Sequence, residues 1–500
     1  MDSKTNNLGI KKYFIQTFWC AMNQADSEKI NMIFLQSGIF RTQKREEADI
    51  IIFNTCSVRK KWEDRVFGLI KDIKKESETN WKNVIVGITG CMIRKTWMNK
   101  KYLGDETWRD KNNAKKINLL KSKDWIFNYD DMLFPILWDK LDLTLRIEEI
   151  KYLPLMLTHI FGEPIWNDHK FDDYLKQNQL RENKASGIII IQSGCDNSCS
   201  YCIVPQTRWR EKSRSIEDIL EEANRIVEDW VKEITLVGQN VNSYWKDFVD
   251  KKLWNEEVWA WAPHSVSPKG REVAQFKTPF RQLLEKLNKI ENLDRIRFTS
   301  SNPHDMTQDI LDAHFELDKT CNYLHFALQS GNDVMLKRMI RKHNYSDFKK
   351  MVDYLRSKDP TFSVSTDIIV GYSWETEEMF ADTVKAFDEC QFDFVFTARY
   401  SVRKWTIASK IYPDDILDTE KARRWHYLND KQIENLSERN KIMIWRIEEV
   451  LVSGKKDWFN FGRTRNFKEV FFKWDNIESW DLLKVKITDL DWFVLIWELI

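Results

Sequence analysis

Residues 193–205 read SGCDNSCSYCIVP, and three cysteines in so short a run decide what kind of chain surrounds them. Cys195, Cys199 and Cys202 follow an apolar, β-favouring run, GIIIIQS (187–193), and precede a basic stretch, TRWREKSRS (207–215). A strand that ends in a loop of potential ligands is the usual place for a site at the edge of an α/β sheet. Structural zinc sites close with four ligands. Here three thiols share one loop with no local fourth, and the eight histidines are scattered. Three thiolates on a four-iron cluster leave one iron open to an external ligand, so the spacing points to an iron–sulfur centre. A zinc knuckle and unrelated cysteines are the alternatives.

Working outward, the same arrangement occurs earlier. The runs KKYFIQTFWC (11–20), ADIIIFNTC (48–56) and NVIVGITGC (83–91) are apolar and end at Cys20, Cys56 and Cys91. Helix-compatible stretches, DSEKINMIFLQSG (26–38) and KKWEDRVFGLIKDIKKE (60–76), lie between them. Strand–helix alternation predicts a parallel sheet covered by helices. The carboxyl ends of its strands share one edge, which would bring three distant thiols together. Three separately buried cysteines are the plainer reading, because free Cys packs well in cores.

After residue 185 the alternation resumes. EITLVGQ (233–239), RIRFTS (295–300), YLHFALQ (323–329), FSVSTDIIVG (362–371) and DFVFTARY (393–400) read as strands. SIEDILEEANRIVEDW (215–230), PFRQLLEKLNKI (279–290) and YSDFKKMVDYLRSK (345–358) read as helices. These βα units are too few for a closed eight-unit barrel, so an open partial (β/α)6 barrel is expected. The last sixty residues read as short strands and turns, a small β-barrel. The fold class is therefore α/β, with an N-terminal parallel α/β domain at 9–150, a core at 181–435 and a C-terminal β-barrel at 440–500. Insertions are expected at 92–180 and 245–278.

The formal charge is +1, from 78 basic and 77 acidic residues, which gives no global attraction to nucleic acid or membrane. The start of the chain, MDSKTNNLGIKK, lacks the apolar core of a signal peptide, and no apolar run is long enough to span a bilayer. Eight cysteines in 500 residues do not read as a disulfide framework. A cytoplasmic protein with reduced thiols is expected, acting without a membrane and as a monomer.

The cysteine spacing, Tyr201 before the last cysteine and the partial barrel together resemble the radical S-adenosylmethionine (SAM) superfamily. TFWCAMNQADSE (17–28), NTCSVRKKWEDRVFG (54–68) and TGCM (89–92) resemble the N-terminal domain of its MiaB-type methylthiotransferases. GQNVNSY (238–244), RFTSSNPHD (297–305), LQSGNDVMLKRM (328–339) and DIIVGYSWETEEMF (367–380) resemble their catalytic core. GRTRNFKEVFF (462–472) is similar to their TRAM domain, an RNA-binding β-barrel.

That resemblance implies a two-cluster enzyme. A [4Fe-4S] cluster on Cys195, Cys199 and Cys202 would bind SAM and cleave it reductively to a 5′-deoxyadenosyl radical. A second [4Fe-4S] cluster on Cys20, Cys56 and Cys91 would carry the sulfur, and a second SAM the methyl group. The implied substrate is N6-isopentenyladenosine at position 37 of tRNA, and the implied electron donor a flavodoxin or ferredoxin. Rival readings are threonylcarbamoyl-adenosine in tRNA, a ribosomal protein, or a non-catalytic Fe–S or RNA-binding protein. Gln239, Ser301, Gln329 and Asp367 sit near predicted strand ends on the side expected for SAM, although ordinary strand-end polar residues would look the same. Arg208, Arg210, Arg463 and Arg465 are candidates to grip RNA phosphates.

The composition holds one anomaly. There are 23 tryptophans and only 15 glycines in 500 residues, where glycine ordinarily supplies about 7% of a chain. Trp19 stands where the family carries glycine before the first cluster cysteine, and Trp374 where it has a turn glycine. Trp62, Trp97, Trp209, Trp230, Trp245 and Trp405 occupy glycine-like contexts, as do Trp458, Trp474, Trp480, Trp492 and Trp497. Trp259, Trp261 and Trp425 do not. The reading is that these positions are glycine in the source organism, with UGA codons rendered as tryptophan; a genuinely Trp-rich relative is the alternative.

Overall fold

The computed structural model describes residues 11–18, 20–56, 60–80, 83–93, 140–161, 174–181, 185–208, 210–247, 277–456, 459–472, 477–491 and 494–499. Two compact units emerge: Met1–Glu182 with Gln206–Arg208, and Asn183–Pro205 with Trp209–Ile500.

The first unit is a five-stranded parallel sheet in the order β2-β1-β3-β4-β5. Its strands are β1 (Lys12–Thr17), β2 (Phe40–Arg41), β3 (Ile50–Thr55), β4 (Ile85–Gly90) and β5 (Leu143–Thr144). All six residues of β3 and of β4 are buried, as helices on both faces of a parallel sheet require. Helices α1 (Ala21–Gln36) and α2 (Lys60–Asn80) follow β1 and β3. α1 begins five residues before the sequence-based expectation because Cys20 acts as its N-cap, its sulfur accepting from the Asn23 backbone N–H. Residues 92–180 were expected to be insertion or linker. Their described part instead includes β5, which hydrogen-bonds to β4 as the fifth strand. Most of the rest of that expected insertion, and nearly all of 245–278, lies outside the described residues.

In the second unit β6 (Ser186–Ile190), β9 (Glu233–Val237) and β10 (Arg295–Phe298) form one parallel sheet; β7 (Gln192–Ser193) and β8 (Lys212–Ser213) pair separately. β11 (Tyr323–His325), β12 (Ser363–Val370) and β13 (Phe394–Arg399) form another. Bridges Ile296–Thr320 and Ser301–Phe326 join them into a six-stranded arc, the expected partial barrel. Helices packed on its apolar side include α3 (Ile216–Glu228), α4 (Pro279–Asn288), α5 (Gln308–Glu316), α6 (Tyr345–Lys358), α7 (Glu377–Cys390) and α8 (Asp418–Lys441). Ser215, Thr278 and Asn344 cap α3, α4 and α6 by accepting from backbone N–H groups in the first turn. Alternate strand residues such as Ile234, Leu236, Ile296, Phe298, Leu324 and Val364 face these helices and build the apolar core. Their neighbours, Glu233, Arg295, Arg297, Tyr323, His325, Ser365 and Asp367, face the other way, so the concave side of the arc is polar.

β14 (Ile447–Lys456), β15 (Phe459–Thr464), β16 (Glu469–Phe472), β17 (Leu482–Asp491) and β18 (Val494–Leu499) close into the expected small barrel. It belongs to the same compact unit as the core, and buried arginines show why. Arg295 donates to the Arg463 and Glu449 carbonyls at 2.7 and 2.8 Å. Arg297 donates to the Arg465 and Thr464 carbonyls at 2.7 and 2.8 Å while holding Glu233. Lys468 reaches the buried Asp393 at 2.6 Å, and Phe467 stacks on Tyr323.

The tryptophans divide by backbone. Among the described residues eleven besides glycine have positive φ, and five of them are tryptophan: Trp230, Trp245, Trp374, Trp405 and Trp445. The first four were singled out from sequence; Trp445 was not. A non-glycine residue held there costs about 1–3 kcal/mol. Trp62, by contrast, lies inside α2 with its ring edge-on to Phe18 at 5.9 Å, a place that makes no demand for glycine. Trp425 donates its indole N–H to the Thr397 carbonyl at 3.0 Å, as a resident aromatic would. Trp19, Trp97, Trp209, Trp259, Trp261, Trp458, Trp474 and Trp492 lie outside the described residues.

Two outcomes are expected. Peptide mass spectrometry of the protein from its native source will read glycine at residues 230, 374 and 405. In the chain as written, Trp230→Gly, which removes an indole that is 73% exposed, will raise stability by about 1 kcal/mol. Trp425→Gly will lower it by at least as much, through a lost indole contact and a glycine inside a helix.

Candidate active site: two cysteine centres

In the first unit the parallel register brings three distant cysteines to one edge. Cys20, Cys56 and Cys91 follow β1, β3 and β4, which are adjacent in the sheet. Backbone bonds from Phe18 to Asn54 and from Cys91 to Thr55, 3.0 and 2.9 Å, hold the strand ends level. Asn23 ties them further: its side-chain amide donates to the Phe18 and Thr55 carbonyls at 2.7 and 3.0 Å, and its backbone N–H donates to Cys20 Sγ at 3.4 Å. Gly90, before Cys91, has φ +90° and would put a Cβ 2.4 Å from the Thr55 oxygen, so no other residue fits there. Gly194, before Cys195, has φ +86°. Cys91 and Cys195 are thus each preceded by a left-handed glycine.

In the second unit Cys195, Cys199 and Cys202 lie on the loop after β6 and β7, where Cys202 N–H closes a turn onto the Cys199 carbonyl. Gln239, at the end of β9, accepts from the Gly194 N–H at 2.5 Å and so steadies the loop rather than standing free in front of it. Arg341 is the main residue that sequence reasoning missed. Its guanidinium donates to Cys199 Sγ at 3.4 Å, to Asn302 Oδ1 at 2.9 Å and to the Ala327 carbonyl at 2.7 Å. LQSGNDVMLKRM stops two residues short of it, and no spacing distinguishes it from neighbouring Arg338 and Lys342.

Three of these six thiols, Cys20, Cys195 and Cys202, resist ionisation in the free protein. Burial pushes the Cys195 thiol up to about 12, with Glu211 and Cys199 adding to it against bonds from Asn197. Burial, then Cys199 and Cys195, pushes Cys202 far above the ordinary thiol range. Burial, then Cys56 and Cys91, does the same to Cys20. Such thiols bind as thiolates only if a cationic centre supplies the missing charge. Among the described residues no three His, Cys, Asp or Glu side chains are placed to hold a single metal ion. A four-iron cluster requires something else, one thiolate at each of three different irons, and the donor sets fit it.

The remaining sequence candidates fall into two groups. Ser301, Gln329 and Asp367 do line up on neighbouring strands: Ser301 N–H bonds the His325 carbonyl, and Gln329 N–H bonds the Asp367 carbonyl. Asp367 is part-exposed and lies 3.5 Å from His325 Nε2, another residue the sequence did not single out. Two of the arginines require correction. Arg208, expected to meet phosphate, has a side chain only 2% exposed and pairs with the buried Asp26. Arg465 donates to the Asp318 and Thr320 carbonyls at 2.6 and 3.1 Å, so it fastens the barrel to the core. Arg463 pairs with Glu469 at 2.9 Å and keeps an exposed side, and Arg210 is exposed. Patterning shows that a stretch is basic, but only packing shows which basic groups are spent inside.

Residues 189–387 match the radical SAM superfamily, and residues 12–105 match UPF0004, an uncharacterized protein family. The tRNA-2-methylthio-N(6)-dimethylallyladenosine synthase of Clostridium botulinum (strain Okra / Type B1) is 34% identical over 491 residues, covering 97% of this chain and 96% of the relative. That of Clostridium novyi (strain NT) is 34% identical over 504 residues, covering 100% and 99%. The chain belongs to the MiaB-type methylthiotransferase family. It is a radical SAM methylthiotransferase, and the radical SAM domain implies one [4Fe-4S] cluster and SAM. A solved radical SAM methyltransferase, TsrM from Kitasatospora setae, aligns with 80% of this chain and 74% of its own at 10% identity, with a TM-score of 0.47.

The trios make a direct test. Changing Cys195, Cys199 and Cys202 to Ala, or Cys20, Cys56 and Cys91 to Ala, will each halve the iron and sulfide bound by the anaerobically reconstituted protein. Cys321→Ala and Cys390→Ala, which alter buried core thiols, will leave both unchanged. Iron analysis with labile-sulfide determination reads the result.

Proposed function

We propose that the chain acts as a tRNA-2-methylthio-N6-dimethylallyladenosine synthase, converting N6-isopentenyladenosine at position 37 of tRNA. One observation carries the reading: each compact unit presents three cysteines on the carboxyl side of its strands, in a chain whose curated relatives match it end to end. The Cys195 trio would hold the SAM-binding cluster, and the Cys20 trio a second cluster. When bound, these groups supply reductive SAM cleavage, activation of an inert aromatic C–H, and the sulfur; a second SAM supplies the methyl.

The protein's own contribution is position and electrostatics. Gln239 and the left-handed Gly194 fix the loop that carries Cys195. Arg341 places a cation against Cys199, which offsets the negative charge of grouped thiolates. Ser301, Gln329 and Asp367 mark the strand ends beside which SAM would lie. Exposed Arg210 and the outer side of Arg463 remain for RNA phosphates. Among the described residues no helix is long and apolar enough to cross a membrane; action in the cytoplasm as a monomer, reduced by a flavodoxin or ferredoxin, completes the reading.

The test is nucleoside analysis by mass spectrometry after incubating the reconstituted protein with SAM, reductant and isopentenyl-tRNA. A methylthio product is expected there and not on threonylcarbamoyl-tRNA. Product only on the latter, or only on a ribosomal protein, would move the chain to another branch. SAM cleavage absent altogether would favour a non-catalytic iron–sulfur protein.

A further inference from the structure

The Arg208 correction leaves a question, because burying a guanidinium is costly and this one is not used up. Gln206–Arg208 follow the Cys195 loop in sequence but are folded into the first unit. There Arg208 Nη2 donates to Asp26 Oδ2 and to Asn23 Oδ1, the latter at 3.3 Å. Asp26 is itself fully buried, and its other carboxylate oxygen accepts from the Tyr174 hydroxyl. The guanidinium is thereby held from one side, while Nη1 is buried with no hydrogen-bond partner. A buried N–H without a partner costs about 1–3 kcal/mol unless something absent from the protein receives it.

The location says what that is. Asn23, which accepts from Arg208, is the residue whose backbone N–H donates to Cys20 Sγ and whose amide joins the ends of β1 and β3. One hydrogen-bonded residue therefore separates the guanidinium from the first thiol. Asp26 and an ionised Cys91 both favour the charge of Arg208 against the cost of burying it. Three thiolates leave one iron of a four-iron cluster without a protein ligand, and a sulfur species bound to it would be an anion close to the buried guanidinium.

We propose that Arg208 is a positioning residue of the first cysteine centre, clamped by Asp26 so that Nη1 donates a charge-assisted hydrogen bond to an anionic sulfur ligand, a sulfide or thiolate, held on the open iron. This rests on the cluster assignment made above. It gives the centre its affinity for sulfur anions and explains why a basic residue beside the other cysteine loop is withdrawn from solvent. Charge-assisted N–H donors to sulfur also favour the reduced cluster, so the same residue raises its potential.

The test uses the full chain with Cys195, Cys199 and Cys202 changed to Ala, so that only the first centre loads. Methanethiolate is titrated into the reconstituted protein, with binding followed by electron paramagnetic resonance of the reduced cluster and the midpoint potential by redox titration. Arg208→Gln is expected to weaken methanethiolate binding by about tenfold or more and to lower the potential, with Arg208→Lys recovering part of both. Arg208→Gln also strands Asp26 as an unpaired buried charge. The Arg208→Gln/Asp26→Asn double variant therefore serves as the control, and should load iron fully yet still bind the thiolate weakly. Full affinity and an unchanged potential in the double variant would overturn the proposal, reducing Arg208 to a counter-ion for Asp26. Failure of the parent chain to load iron at this centre would instead reject the cluster assignment itself.

Discussion

Three thiols brought together repel one another once ionised, and both cysteine trios of this chain are built around that conflict. The sheets create it, because parallel strands deliver their carboxyl ends to one edge. Backbone detail keeps it in place, with Gly90 and Gly194 in left-handed conformations immediately before Cys91 and Cys195. Cations relieve it in part. Arg341 donates to Cys199, and Arg208 stands one residue from Cys20. On the reading proposed above, iron supplies the remaining charge.

The rest of the second unit follows from the concave face of its six-stranded arc being polar. An apolar interior would have closed on itself. Here Arg295, Arg297 and Glu233 need partners, and the C-terminal barrel supplies them as main-chain carbonyls of Glu449, Arg463, Thr464 and Arg465. Arginine is suited to this because its planar fork satisfies several carbonyls at once. The small barrel is therefore anchored in the core by hydrogen bonds rather than attached as a free module.

The tryptophan anomaly is a constraint of the same local kind. An indole at φ near +60 to +80° is strained wherever its ring points, and five tryptophans are held so. The helical Trp62 shows that not every glycine-like context in the sequence is one in the fold. α2 takes any residue with a compatible rotamer, whereas the turns at Trp230, Trp374 and Trp405 take few besides glycine.

Sequence by itself determined the periodic and the local features. It marked the strand ending at Cys56, the C-x3-C-x2-C loop, six core strands in order and a β-rich C-terminus, because burial on both faces of a parallel strand writes a continuous apolar run. Tertiary structure decided whatever depends on which distant groups meet. It added Leu143–Thr144 as a fifth strand, put Gln239 against Gly194, and brought Arg341 to Cys199 across 142 positions. It also turned Arg208 from an expected phosphate contact into a buried partner of Asp26. A lone charged residue carries no periodicity, so its environment is set only when the chain closes around it.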